Sequence, residues 1–254
     1  MSVPNEAFMD AAYENIEHVM RASEAIRVMP KFLAPFLGKF FSSSPNSQEI
    51  WHTTLRENIE HRLATQVRSK DGSLPADRPR DIVQWVIETA PKDQKWSPGR
   101  FTHEVMALWF GSIHGLSISA TFALFALCNH PEYAEPLRAE LQSDEWVKFI
   151  ETSNGLPLLD SFIKESARMQ PMDHMTSRRV ALKPFSLSNG AKINSGDWIC
   201  MPLKSMLSDP QYYPTPDQFD GFRFVRPDTQ PEGPSKLTDV TYKWGMWGNI
   251  RQAW

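Results

Sequence analysis

From Val105 to Cys128 the chain carries no Asp, Glu, Lys or Arg, and this charge-free run lies inside a longer helical segment. Ser97 is a good cap with Pro98 at the first helical position, and Pro131 discourages helix beyond His130. The segment spans roughly 30 residues, or about 45 Å at 1.5 Å per residue. A helix this long and this apolar either crosses a membrane or runs through a large soluble core. Gly111-Ser112-Ile113-His114-Gly115 places small residues four apart, which suits close packing in either setting. His114, Ser112, Ser117, Ser119 and Thr121 dilute the apolarity, and the segment alone leaves both placements open.

The flanks set a mainly helical fold. Phe8, Ala11, Ala12, Ile16, Val19 and Met20 recur at helical spacing within residues 5–27, with Ile26 further along. Residues 30–42 are rich in aromatics and Pro, and Ser42 to Ser47 is a polar break. A charged helix then runs from about Ser47 to Ser69. A loop from Lys70 to Pro79 precedes a short helix from Asp81 to Ala90. Glu132 to Glu140 reads as a charged helix delayed by Pro136, and Leu158 to Gln170 as another. Between residues 178 and 202 the pattern alternates as in strands: Arg179 to Leu182, Phe185 to Leu187, a turn at Ser188-Asn189-Gly190, Lys192-Ile193 and Trp198 to Met201. The fold class expected is mainly α with a small antiparallel β-sheet, and most of the 20 prolines follow residue 130, marking a loop-rich second half.

Charge and cysteine usage exclude other classes. A net charge of −3 with scattered basic residues gives no nucleic-acid footprint. Cys128 and Cys200 are too few for a disulfide framework and lack zinc-site spacing, so no metal ligand set is assigned. Glu6, Asp10, Glu14, Glu17 and Glu24 rule out a signal peptide or anchor in the first thirty residues.

Glu165 and Arg168 stand three apart and leave the same helix face. An exposed pair of this kind contributes only about 0.2 to 0.5 kcal/mol. Arg223, however, lies between Phe222 and Phe224, after Pro214-x-Pro216-x-x-Phe219. That setting suits a guanidinium held in a semi-buried pocket, where one carboxylate could serve two Arg forks.

In this order, Phe162-Ile163-Lys164-Glu165-Ser166-Ala167-Arg168, the Asn189-Gly190 turn, Asp209-Pro210-x-x-Tyr213-Pro214 and Phe219-Asp220-Gly221-Phe222-Arg223-Phe224 resemble cytochrome P450. The resemblance implies that Glu165, Arg168 and Arg223 are the family's structural triad behind a haem. It places Arg179 where an Arg reaches a haem propionate, with Arg178 as the rival. It also places Gly111, Ser112, His114 and Gly115 on the oxygen-binding face, with Gly111 and Gly115 against the macrocycle. His114 replaces the usual acid, and Gly115 stands where the oxygen-protonating Thr is expected. Ser117 projects about 200° around the helix from Gly115.

Ala22 to Leu33 is similar to fungal members of secondary metabolism, of the ent-kaurene-oxidase-like kind. Such members use haem, O₂ and electrons from an NADPH-cytochrome P450 reductase to oxidise a small lipophilic terpenoid or polyketide. They work on the cytosolic face of the endoplasmic reticulum membrane.

After Trp244-Gly245 the family's loop carries a Cys that binds iron, and here that position falls at Arg251. A guanidinium is always protonated and cannot coordinate. The expectation is a single partial P450 domain over residues 1–254, truncated at both ends. It is the C-terminal half without the haem-thiolate loop, and it lacks the anchor, so that the chain itself is cytosolic. Two readings follow: a P450-like chain of the oxidising type, or a non-enzymatic remnant or gene-model fragment.

Overall fold

The structure is a computed structural model that describes residues 6–30, 33, 45–65, 79–230 and 233–248. The chain divides into two compact units, one up to Ile113 and one from His114 onward.

In the first unit, α1 (Glu6–Val28) packs on α2 (Pro45–Thr65), joined by α3 (Ile82–Thr89) and the first half of α4 (Pro98–Asn129). Phe8, Ala11 and Ala12 meet Trp51, Leu55 and Ile59, with Val83, Val86, Ile87, Phe101 and Val105 closing the core. The Trp51 and Trp109 rings meet edge to face at 6.1 Å, and Phe8 meets them in the same manner at 6.5 and 5.8 Å.

Asp81 caps α3 by accepting from the Gln84 N–H at 3.0 Å. The Arg62 guanidinium grips the same carboxylate at 2.6 and 2.8 Å and so holds the Asp81 carboxyl below its usual range. The stripe expected on α1 is buried from Phe8 to Ile16, but Val19, Met20 and Ile26 are exposed. Helical spacing marks an apolar face and does not say how much of it a neighbour covers. The part of the charged helix expected beyond Thr65, the loop up to Arg78 and nearly all of residues 31–44 lie outside the described residues.

The second unit continues α4 into a 3₁₀ turn (Pro131–Tyr133), α5 (Ala134–Leu141), α6 (Asp144–Thr152) and α7 (Pro157–Met169). Then come β1 (Thr176–Val180), β2 (Phe185–Ser186), β3 (Lys192–Ile193), β4 (Trp198–Met201) and α8 (Leu203–Leu207). Helix α5 starts at Ala134, two residues after Glu132, and Pro136 lies inside it. Pro136 is the third helical residue, where a missing N–H leaves no intrahelical bond broken.

Helix α6 was not expected. Ser143 caps it by accepting from Glu145 N–H, and Ser153 closes it in the left-handed conformation at φ 56°. The strands form two antiparallel pairs rather than one sheet. Strand β1 pairs with β4, setting Arg179 opposite Ile199 and Val180 opposite Trp198, and β2 pairs with β3 through Phe185 and Ile193.

Leu203, Leu207, Tyr213, Phe224 and Trp244 make this unit's core. The charge-free run on α4 is the largest departure from a buried-helix reading. Among the described residues α4 is the one helix long and apolar enough to cross a membrane, and none of its most apolar window is buried. Leu116 is 74% exposed and Leu124 is 63% exposed. Lack of charge marks a surface that water solvates poorly, but it does not name what covers that surface.

Candidate functional site

Helix α7 positions the site. Pro157 opens it, and the Glu140 carboxylate of α5 accepts from the Leu158 and Leu159 N–H groups at 2.7 and 2.9 Å. A negative side chain thus satisfies donors that the first turn leaves unpaired. With its N-terminus anchored, α7 buries Ser161, Phe162, Lys164, Glu165, Ser166 and Arg168.

Glu165 is fully buried and serves two guanidinium groups. Arg168 Nε and Nη2 donate to its two oxygens at 2.7 and 2.8 Å, a bidentate fork. Arg223 Nε donates to the same oxygens at 3.2 and 3.1 Å. Two cations share one anion, so the remaining donors need other acceptors. Arg168 Nη1 donates to the Leu207 carbonyl at 2.8 Å. Arg223 Nη1 donates to the Pro214 carbonyl at 2.6 Å, and its Nη2 to the Gln218 carbonyl at 3.1 Å.

Tyr213 lies under the Arg168 guanidinium at 5.5 Å and donates its hydroxyl to the Lys243 carbonyl at 2.7 Å. Burial pushes that hydroxyl well above the usual tyrosine range, so it stays neutral. None of these groups faces an opening, and the assembly ties α7 to the segment from Leu207 to Phe224.

Beside it lies a rigid aromatic cluster. The Gly221 N–H donates to the Tyr133 hydroxyl at 3.1 Å. A Cβ on Gly221 would stand 2.7 Å from Tyr133 Cε1 and 2.8 Å from Phe162 Cδ2. Neither ring can yield cheaply, since Tyr133 also packs on Phe219 and Phe222. Gly221→Ala is therefore expected to destabilise the fold by about 1 to 3 kcal/mol, read from the urea midpoint with an unchanged m-value.

The other residues singled out in the sequence are placed as follows. Gly111 and Ser112 are exposed on α4, and the Ser112 hydroxyl donates to the Trp109 carbonyl at 3.2 Å. Gly115 faces Met172, with room for a Cβ at 3.7 Å from Met172 Cε. The His114 side chain lies outside the described residues. Arg179 is exposed within β1 and donates to the Arg178 carbonyl at 2.8 Å, while Arg178 is held by Asp173 at 2.8 and 3.1 Å. A cavity of about 470 Å³ is lined by Ser117, Ile118, Thr121, Phe122, Pro171, Met172 and His174.

Haem iron needs a ligand, and among the described residues neither cysteine stands in an aromatic-Gly loop that would present one. Cys128 and Cys200 are both exposed, the first at the C-terminal end of α4 and the second on β4, 3.8 Å from Met175 Sδ. Among the described residues no three His, Cys, Asp or Glu side chains are grouped to hold a metal. Arg251 lies outside the described residues, and the stretch Asn249 to Trp254 contains neither Cys nor His. Sequence reasoning missed Lys164 and Tyr213. Both stood only inside the stretches that carry the family resemblance, with no role of their own.

A sequence model of cytochrome P450 matches residues 2–236. Cytochrome P450 monooxygenase AN1598 of Emericella nidulans is 31% identical over 243 residues, covering 91% of this chain and 44% of that one. Ent-kaurene oxidase P450-4 of Gibberella fujikuroi is 31% identical over 231 residues, covering 87% and 43%. The chain therefore spans less than half the length of these curated relatives. Among solved structures, the heme domain of a cytochrome P450DA mutant aligns with a TM-score of 0.67 at 17% identity, over 97% of this chain and 50% of that one, which is a likeness of fold. Matched by the family over nearly all of its length, this chain belongs to the haem-dependent cytochrome P450 family.

Proposed function

We propose that residues 1–254 are one partial domain of a fungal secondary-metabolism monooxygenase whose iron ligand lies outside this stretch. The observation that carries the reading is the Glu165 carboxylate shared by Arg168 and Arg223, together with the family match. In this reading the triad is structural. Gly111, Ser112, His114 and Gly115 belong to the oxygen-facing helix, Gly111 and Gly115 lie against the macrocycle, and Arg179 reaches toward a haem propionate. The intact protein would oxidise a small lipophilic terpenoid or polyketide with electrons from NADPH-cytochrome P450 reductase, at the cytosolic face of the endoplasmic reticulum. The fungal relatives support the pathway class, and the apolar run of α4, none of whose window is buried, suits a helix that the rest of such a protein covers.

The non-enzymatic remnant is a second reading, favoured by Arg251 at the position where the family's loop carries its Cys. Sequencing the transcript through both ends of the reading frame separates the two. An extension that carries a Cys beyond an aromatic-Gly loop supports the monooxygenase, and a frame bounded at Met1 and Trp254 overturns it. The 254-residue chain mixed with hemin, reduced and exposed to carbon monoxide is expected to lack a thiolate-type Soret band. Appearance of that band would overturn the assignment of the ligand to another segment.

A further inference from the structure

Lys164 is a buried titratable group that the triad does not use. Its side chain is fully inaccessible, which is rare for lysine without a close partner. The amine donates to Ser235 Oγ at 2.7 Å and to the Lys236 carbonyl at 2.5 Å. It sits 4.7 Å from the Phe224 ring centre and 4.6 Å from that of Trp244. The nearest carboxylate, Asp239, is 3.9 Å away and already accepts from the Ser235 hydroxyl and the Lys236 N–H.

The same amine thus reaches both ends of a strap. The Leu237 N–H donates to Asp160 of α7 at 2.8 Å, and the Trp244 and Trp247 indoles both donate back to the Leu237 carbonyl. Ser235 N–H donates to the Phe224 carbonyl, completing the loop's attachment.

We propose that Lys164 is a proton-operated clasp: its amine fastens the strap of residues 235–247 to α7, and the strap closes more firmly when that amine is neutral. The geometry allows it. A neutral amine keeps two N–H donors for its two close acceptors, Ser235 Oγ and the Lys236 carbonyl, and gives up only the ring faces and the distant Asp239. Burial disfavours the charged form and pushes Lys164 down from 10.5 to about 8.

The charged groups around the amine are Asp160 on α7 and Asp239 and Lys236 on the strap. Burial pushes the Asp160 carboxyl upward. Arg223, next to Phe224, is turned to Glu165, and Lys243, next to Trp244, is exposed. An opened strap returns the amine to water and to its ordinary affinity for a proton. Between about pH 8 and 10.5 the open form therefore binds more protons than the closed form, and closure strengthens as pH rises through that window. Lys164 acts as a positioning residue for the chain leading into Trp244-Gly245, and this action needs no haem.

The test is hydrogen exchange of the full chain, with rates corrected for intrinsic exchange and compared with α2 in the same molecule. Protection of residues 235–247 is expected to rise about tenfold between about pH 7 and about pH 9.5. In Lys164→Met the profile should be flat, because the linked proton is gone. Asp239→Asn, which keeps the amine and removes its supporting charge, should move the rise to lower pH, and it reads the same proton if the Met variant fails to fold. A flat wild-type profile, or an Asp239→Asn profile unmoved from wild type, overturns the clasp. Because no haem enters this measurement, it and the carbon monoxide test fail independently.

Discussion

Glu165→Gln is expected to destabilise the second unit by about 3 to 5 kcal/mol, because it leaves two buried guanidinium groups with no anion between them. Glu165 is fully buried, Arg168 is fully buried, and Arg223 is 3% exposed, so water cannot replace the lost charge. Gln preserves the volume, so the effect isolates charge from packing. A domain holds only about 5 to 15 kcal/mol in total, so much of this unit would be unfolded in mild denaturant. Urea unfolding followed by circular dichroism measures the loss, and a shift under about 1 kcal/mol would show that the carbonyls of Leu207, Pro214 and Gln218 suffice alone. Adding Arg223→Met to the Gln background should recover part of the loss, since one of the two unpaired charges is then removed.

Trp51→Ala is expected to have an effect of similar size in the first unit, about 3 to 5 kcal/mol. Trp51 is 1% exposed and sits between α1 and α4, with edge-to-face partners in Phe8 and Trp109. Truncation removes the largest buried apolar side chain of that core and leaves a cavity that three helices must collapse to fill. Trp51→Phe should recover much of the loss. It keeps an aromatic ring, and the Trp51 indole N–H has no acceptor among the described residues, so no hydrogen bond is given up. The urea midpoints of the two variants decide it. Equal midpoints for Ala and Phe would mean that ring packing is not what stabilises this unit.

The elements that announced themselves in the sequence are those with local chemistry. Pro98 and Pro131 bracket α4, Gly190 turns the β2 and β3 pair at φ 85°, and the Glu165 and Arg168 spacing is fixed by one helix. Arg223 could be singled out only through its aromatic neighbours, because its partner lies 58 residues away. Helix α6 was not singled out although Ser143 caps it and Trp146, Val147, Phe149 and Ile150 recur at helical spacing, because nine residues give that pattern little more than two turns. Lys164 was invisible for a different reason: its burial depends on Phe224 and Trp244, which long-range folding brings to it. The exposure of α4 could not be read either, because composition records a residue's preference for apolar surroundings and not whether they are supplied.

The triad's surplus positive charge rests on the main chain. Its acceptors beyond Glu165 include the carbonyls of Leu207, Pro214 and Gln218, which every residue type possesses, alongside the Met169 sulfur. From Ser208 to Gln218 the path of the backbone is therefore held while the identity of most side chains is not. Single substitutions at exposed positions such as Gln211 should pass unnoticed, whereas inserting one residue would carry a carbonyl off its guanidinium. The site reads the length of this loop and, Tyr213 apart, little of its lettering.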